Sequence, residues 1–357
     1  MSDERIGVGI IGCGDIAGSY AADLKRYPEL DFVGAADIVP ERAEAYAKEH
    51  EIAAFKSVES LLADPRVKLV INLTTLQAHT DVITQCLQAG KHTFSEKPLA
   101  MTTADAMGLV ALAEEKNLRL GCAPSTFLGE AQQTVLKLLR QGKLGTPRVA
   151  YADINHGRIE TWHPAPASFY AAGPVFDIGA YVLVLLTTAF GPARRVSACG
   201  KVLLADRKDL NGNVISVKMP DFVVANVTLA DGVLLRMTTN FYVDGLKKQS
   251  GIEIHGDEGS VYVDTAYMFN SNVSFATFEK KYEQIPCVSE PFDGVEWGRG
   301  VRDMATAIRE GTPHRATGKQ EAHIVEVMCA IHESVATETP VEITSDFDRP
   351  APMDWAV

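Results

Sequence analysis

The chain is short of the features that mark a secreted scaffold, a metal centre or a membrane protein. Its six cysteines (13, 86, 122, 199, 287 and 329) are scattered over 357 residues with no C-x-x-C pair. That pattern favours buried free thiols in a reducing compartment over a disulfide framework. The nine histidines show no H-x-x-x-H spacing and no clustering with cysteine, so no metal site is expected. No stretch approaches the roughly 18 uninterrupted apolar residues of a membrane span. The acidic opening MSDER, followed by an apolar run that meets glycine almost at once, does not read as a secretory signal. A cytoplasmic location is expected. There is no Lys/Arg run, and a formal charge of −12, from 34 basic and 46 acidic side chains, argues against nucleic acid or an anionic membrane surface as partner. Internal repeats and low-complexity segments are also absent.

What is present is ordinary globular composition, 46% apolar and 22% charged, in a chain longer than one compact domain usually holds. The first third alternates apolar runs at 6–11, 31–37, 68–73, 91–95 and 119–123 with helical patterns at 16–26, 41–49, 78–89 and 103–116. Strands as uniformly apolar as VGII and LVINL are those covered by helices on both faces, and their alternation with helices predicts a parallel, doubly wound sheet. Beyond Cys122 the pattern changes. A helix at 129–141 and a strand at 148–155 lead to a polar, aromatic loop at 156–173 and a very apolar helix at 175–190. Runs at 222–230 and 233–241, joined by Asp231-Gly232, read as a tight hairpin, and runs at 251–255 and 260–264 continue the meander. Helices at 297–310 and 318–337 close the chain.

The sequence IGVGIIGCGDIAG carries Gly12-x-Gly14-x-x-Ala17 between an apolar strand and a helix. In that context the glycines read as a dinucleotide fingerprint. Gly12 permits the tight turn, Gly14 lets the backbone approach a pyrophosphate, and Ala17 allows close helix–strand packing. Asp15 and Ile16 then lie at the helix N-terminus, where free N–H groups favour phosphate. Asp37 stands 20 residues past Ala17, the place of the acid that accepts a ribose diol, which favours NAD. Arg42 keeps NADP open as a partner for a 2′-phosphate. The plain alternative is an ordinary βα turn with Asp37 capping the next helix. The expected fold is therefore an α/β Rossmann domain over 1–123 and an α+β domain over 124–357 with an open, mainly antiparallel sheet. The second domain would bind substrate and mediate oligomerisation, with its C-terminal helices able to pack back on the first.

Glu96-Lys97-Pro98 ends the strand KHTFS, and carboxyl ends of parallel strands face the ligand crevice. A lysine ammonium there can stabilise negative charge on a reacting oxygen. Asp177 and Tyr181 are four apart on the predicted helix and share a face, with Asp177 in the first turn, where a carboxylate is favoured. A free tyrosine, with a pKa near ~10, is a poor base at neutral pH, but a neighbouring Lys97 ammonium would lower it.

The fingerprint, the Glu96-Lys97-Pro98 tripeptide and the later Asp177-Ile178-Gly179-Ala180-Tyr181 run resemble the Gfo/Idh/MocA family of glucose–fructose oxidoreductase and inositol dehydrogenase, over essentially the whole chain. The resemblance implies that Lys97 contacts the reacting oxygen, Asp177 positions substrate and Tyr181 exchanges the proton. It places Glu96 near the nicotinamide ribose, implies a cis Lys97–Pro98 bond, and makes the segment NLTTLQAH cofactor-lining through Thr74, Thr75 and His79. The family commonly has T-P where this chain has Thr74-Thr75, and many members have histidine where it has Tyr181. The activity implied is NAD- or NADP-dependent interconversion of a secondary alcohol and a ketone, or an aldose and a lactone, on a sugar, sugar derivative or cyclitol. A homodimer or homotetramer is also implied, because such sheets pack face to face in the family. One alternative is a trans-dihydrodiol dehydrogenase-like enzyme, which shares the tyrosine. Another is a non-catalytic NAD(P)-sensing regulator, against which the joint presence of Lys97, Asp177 and Tyr181 counts.

The loop at 156–173 supplies Trp162 and His163 as candidate substrate contacts, with His156 and Arg158 as further hydroxyl partners. Aromatic faces suit the C–H faces of a sugar, though a loop tryptophan also packs its own loop.

Overall fold

The computed structural model describes residues 5–244 and 248–357, so most of the acidic opening lies outside the described residues. The chain forms two compact units, Met1–Ser125 with Glu296–Val325, and Thr126–Val295 with Glu326–Val357.

In the first unit, β1 (Ile6–Ile11), α1 (Ala17–Leu24), β2 (Leu30–Ala36), α2 (Pro40–His50), β3 (Ala53–Ala54), α3 (Val58–Ala63), β4 (Leu69–Asn72), α4 (His79–Gln88), β5 (His92–Ser95), α5 (Thr103–Glu115) and β6 (Leu120–Cys122) follow in turn. The sheet order is β3-β2-β1-β4-β5-β6, and every pair is parallel. Val8, Ile10, Ile11, Val70, Ile71 and Phe94 are buried, as the unbroken apolar runs require of strands covered on both sides. Strand order reverses between β1 and β4, which opens the ligand crevice of such sheets. β2 stops at Ala36, one residue short of the expected strand end, and leaves Asp37 beyond the ladder. The short helix α3, which sequence periodicity did not reveal, starts on a reciprocal cap between Ser57 and Ser60. The segment leading into the helix Arg299–Glu310 is tied to α1. Gly298 N–H donates to Asp23 (2.8 Å), and the Tyr27 hydroxyl donates to Glu296 (2.8 Å).

The second unit begins with α6 (Glu130–Arg140) and β7 (Pro147–Asn155). The segment expected to be a loop contains a 3-10 turn at Ile159–Thr161 and the helix α7 (Ala167–Pro174). Gly173, at φ +77°, breaks that helix, and a widened π turn, Val175–Gly179, passes into α8 (Ala180–Phe190). The stretch Ala167–Phe190 is long and apolar enough to cross a membrane by length and composition. Of its 18-residue apolar window 78% is buried, as in the core helix of a globular unit. Next come β8 (Ala193–Lys201), β9 (Asp206–Lys208), β10 (Val214–Ser216), β11 (Phe222–Leu229), β12 (Leu234–Asn240), β13 (Gly251–Gly256), β14 (Gly259–Val263), β15 (Val273–Thr277) and β16 (Glu283–Ile285). The helices α9 (Arg299–Glu310) and α10 (Gly318–Thr337) and the short β17 (Val341–Glu342) complete the chain.

The large sheet runs β16-β15-β14-β13-β7-β12-β11-β8-β17 and is antiparallel throughout except for the β7–β12 pair. Its two faces divide by strand alternation. Ala150, Ala152, Ile154, Ala225, Val227, Met237 and Ile254 are buried, as is the helix residue Leu183, whereas Tyr151, Asp153, Arg236, Glu253 and Tyr262 keep exposure. The hairpin at Asp231-Gly232 forms as expected, with Gly232 at φ +83°. All six cysteines are free, but Cys86 and Cys122 are buried while Cys199 is exposed, so the expectation of burial holds for part of the set.

Candidate functional site

The turn between β1 and α1 is built from main-chain contacts. Gly12 has φ +97°, and a Cβ there would fall 2.7 Å from the Leu73 carbonyl at the exit of β4. Gly12 N–H donates to Ala36 O (2.9 Å), which pins the turn to β2. The Asp37 carboxylate accepts from Cys13 N–H and from Val39 N–H, both at 2.8 Å. Asp37 therefore ties the glycine turn to the segment before α2, but it does not cap that helix, whose N-cap residue Val39 carries no side-chain hydrogen bond. Each carboxylate oxygen keeps a second lone pair for a ligand. Beyond it, Ile38 is 94% exposed, and Arg42 is exposed on α2.

A Cβ at Gly14 would meet nothing within 4 Å, and α1 has no side-chain cap at its N-terminus. Space and N–H groups thus coincide where a pyrophosphate needs them. Asp15 and Gly14 are exposed and Ile16 is half-buried around that opening. Ala17 is fully buried, and its carbonyl accepts from the Tyr46 hydroxyl (2.8 Å), packing α2 on α1. Burial, reinforced by the Asp37 carboxylate, pushes the Cys13 thiol up to about 12, so no thiolate forms beside the phosphate position at neutral pH.

At the ends of β4 and β5 a polar lattice holds the backbone. Buried Asn72 donates to the Ser95 hydroxyl (3.0 Å) and accepts from both the hydroxyl (2.7 Å) and the N–H (3.2 Å) of Thr74. Glu96 accepts from the Tyr20 hydroxyl (2.7 Å) and from Lys97 N–H (3.1 Å). The Lys97–Pro98 bond is cis, as the resemblance implied, and Lys97 is half-buried. Thr75, just past the end of β4, is exposed and Thr74 is half-buried. His79 differs from expectation. It is fully buried, with its ring nitrogens 2.6 Å from Pro98 O and 3.1 Å from Thr74 O. As the inward-facing first residue of α4, it has no surface to offer a ligand and instead joins the two loops from beneath.

In the second unit Asp177 sits in the π turn and Tyr181 is the second residue of α8. π turns inside helices are frequent at functional sites. The Tyr181 ring lies 5.5 Å from that of Tyr267. Trp162, 50% exposed, stands between His156 (5.3 Å between rings) and His163 (5.5 Å). The band continues from His163 to Phe169 (4.6 Å) and from His156 to Phe241 (6.2 Å), and the Arg158 guanidinium covers Tyr242 at 4.8 Å. Lys97 belongs to the first unit, and Trp162, His163, Asp177 and Tyr181 to the second. Sequence reasoning placed Asn72 at the head of the segment NLTTLQAH but gave it no task, and it missed Tyr20, Ser95 and Tyr267, which carry no visible signal.

Space for a phosphate over an uncapped helix, at the point where strand order reverses, gives the first unit the geometry of a dinucleotide-binding domain. Residues 6–123 match the family model described as "Oxidoreductase family, NAD-binding Rossmann fold", and residues 132–262 match the "GFO/IDH/MocA C-terminal domain". The chain belongs to the Gfo/Idh/MocA family of oxidoreductases.

Among relatives, trans-1,2-dihydrobenzene-1,2-diol dehydrogenase of Bos taurus is 30% identical over 200 residues, which cover 54% of this chain and 59% of that protein. The chain thus spans less than two thirds of that relative's length. The 1,5-anhydro-D-fructose reductase of Ensifer adhaerens is 28% identical over 260 residues, 71% of this chain and 74% of that protein. The crystal structure of an NAD binding oxidoreductase from Klebsiella pneumoniae shares the fold, with a TM-score of 0.85 over 96% of this chain and 100% of that one at 20% identity.

Proposed function

We propose that this protein is a cytoplasmic, NAD-preferring oxidoreductase that interconverts a secondary alcohol and a ketone, or an aldose and a lactone, on a sugar, sugar derivative or cyclitol. The observation that carries this reading is Lys97 at the carboxyl end of β5, its own N–H held by the Glu96 carboxylate and that carboxylate held in turn by Tyr20. A lysine whose backbone is fixed in this way is pre-organised to place its ammonium on a reacting oxygen. The Asp37 charge at the end of β2 disfavours a 2′-phosphate and so supports NAD.

When bound, the nicotinamide supplies or takes up the hydride. Lys97 donates a hydrogen bond to the substrate oxygen and stabilises negative charge there. Tyr181 exchanges the hydroxyl proton, and Asp177 orients the substrate. The half-exposed Trp162, with His156 and His163 edge-on to it, offers an apolar platform flanked by hydrogen-bonding groups, which suits a polyol. The exposed sheet face, carrying Tyr151, Asp153, Arg236, Glu253 and Tyr262, is the surface through which copies would pair as a homodimer or homotetramer.

The test is a panel of sugars, cyclitols and an aromatic trans-diol, followed by nicotinamide absorbance with each cofactor. The expected result is NAD-linked turnover of a polyol that falls by about 10³-fold or more in Lys97→Met while cofactor fluorescence quenching persists. Turnover of the aromatic diol alone would favour the second reading, a dihydrodiol dehydrogenase-like activity, which the likeness to the Bos taurus enzyme supports. Cofactor binding with no turnover would point instead to a sensing role.

A further inference from the structure

Beneath the Trp162 platform lies a fully buried ionic cluster that the reaction does not use. Arg207, on β9, has no exposed side-chain surface. One arm of its guanidinium donates to both oxygens of Glu160 (3.0 and 3.1 Å) and to the Tyr170 hydroxyl oxygen (3.1 Å). The other arm donates to Asp221. The Tyr170 hydroxyl in turn donates to Glu160, and the guanidinium stacks on the Tyr170 ring at 4.7 Å. Asp221 also accepts from Leu203 N–H (2.6 Å). Glu160 and Tyr170 lie on either side of Trp162, in the 3-10 turn and in α7, so one guanidinium clamps the loop on both flanks.

Two paths lead from the clamp to the platform. Trp162 and His163 both donate their main-chain N–H to Ile159 O, in the turn whose middle residue is Glu160 (3.2 and 2.9 Å). By the other path, ring contacts run from Tyr170 to Phe241 (5.7 Å), to His156 (6.2 Å) and to Trp162 (5.3 Å).

Two carboxylates and a guanidinium are a costly way to fill a core, since apolar side chains of similar volume serve stability as well or better. What charge adds is geometric definition, because the planar fork accepts partners only along fixed directions. We propose that Arg207 is the positioning residue of the polyol-binding loop, setting Trp162 and His163 against the sugar. The inference rests on the proposed reading of that loop as substrate-binding.

The experiment uses the full chain with Trp297→Phe and Trp355→Phe, leaving Trp162 as the sole emitter. Arg207→Lys keeps the charge but loses the fork, and Tyr170→Phe removes one hydroxyl. Acrylamide quenching of Trp162 reads loop position without substrate. Initial rates with myo-inositol, D-glucose and 1,5-anhydro-D-fructose, each with both cofactors, are measured alongside in chains of otherwise native sequence.

Arg207→Lys is expected to raise quenching and to raise KM about tenfold, with kcat and cofactor binding within about threefold. On a Trp162→Ala background the same change adds little to KM, because it acts through that ring. A general loss of stability would instead lower kcat, weaken cofactor binding and add to the effect of Trp162→Ala. Unchanged quenching overturns the inference whatever the sugars do. Raised quenching with KM unmoved, or with Trp162→Ala silent, shows that the loop is clamped but does not hold substrate, and the reading of the loop falls. If Arg207→Lys does not fold, Tyr170→Phe decides, with an expected KM rise of about threefold.

Discussion

The turn between β1 and α1 is held by main-chain groups and one carboxylate, whereas residues 156–173, beside main-chain bonds at His156 and Gly157, are clamped by charged side chains. In the first, Gly12 donates to Ala36 O and lies against the Leu73 carbonyl, and Asp37 gathers two N–H groups. In the second, Glu160 and Tyr170 both accept from the Arg207 guanidinium, whose other arm holds Asp221. A pyrophosphate is the same in every dinucleotide, so a turn fixed by backbone geometry serves it. Sugars differ, and a loop fixed by side chains can be re-set by substitution at one buried position.

The two halves of that comparison can be broken separately. The largest effect is expected at Gly12. Gly12→Ala places a methyl against the Leu73 carbonyl at φ +97°, costing about 2–4 kcal/mol and abolishing cofactor binding. Thermal melts and fluorescence titration measure the two losses. Gly14→Ala is the paired control, because its Cβ meets nothing within 4 Å. It is expected to leave stability within about 0.5 kcal/mol and still weaken cofactor binding about tenfold by intruding on the phosphate. Equal destabilisation by both would erase the distinction between a packed glycine and a ligand-facing one.

Trp162→Ala tests the other half. It is expected to raise KM for a polyol about tenfold with kcat within about threefold, the signature of lost uniform binding. A fall in kcat at constant KM would move Trp162 from platform to chemistry.

The smallest effect concerns acid. Burial, then the nearby Arg119 and His314 charges, lower the His92 pKa from 6.5 to about 4, and His92 accepts from Arg119 N–H (2.9 Å) as a neutral ring. Burial also lowers His79 and His314 in the first unit and His332 in the second. Between pH 6.5 and about 4 the unfolded chain binds protons that folded His92 refuses, so stability is intact above pH 6.5 and declines as pH falls through that window. Urea midpoints at both ends of the window should show this decline, and His92→Gln should reduce it. An unchanged slope in that variant would assign the acid sensitivity elsewhere.

The first unit was legible because its signals are local. Strands β1 and β4 are unbroken apolar runs, and glycine spacing plus an acid at 37 needs no distant partner to be read. Legibility failed where a short helix such as α3 depends on two serines, or where His79, plausible as a ligand contact, turns inward to two carbonyls. In the second unit the hairpin at Asp231-Gly232 was visible from its turn residues. The break at Gly173 was visible as well, as the boundary between the loop and the apolar helix, but the helix α7 before it and the π turn carrying Asp177 were not, since backbone phase inside an apolar helix leaves little trace in composition.

From residue order alone came the parallel sheet and the nucleotide turn, because periodicity and turn chemistry act over a few neighbours, while the resemblance to a known family singled out Lys97, Asp177 and Tyr181 as the residues to watch. The burial of Arg207 with two acids, the lattice from Asn72 to Glu96, and the ring contacts around Trp162 arose only when the folded chain excluded water from groups far apart in sequence. Buried charges and hydroxyls must find partners in space, and a linear pattern does not encode which ones they meet.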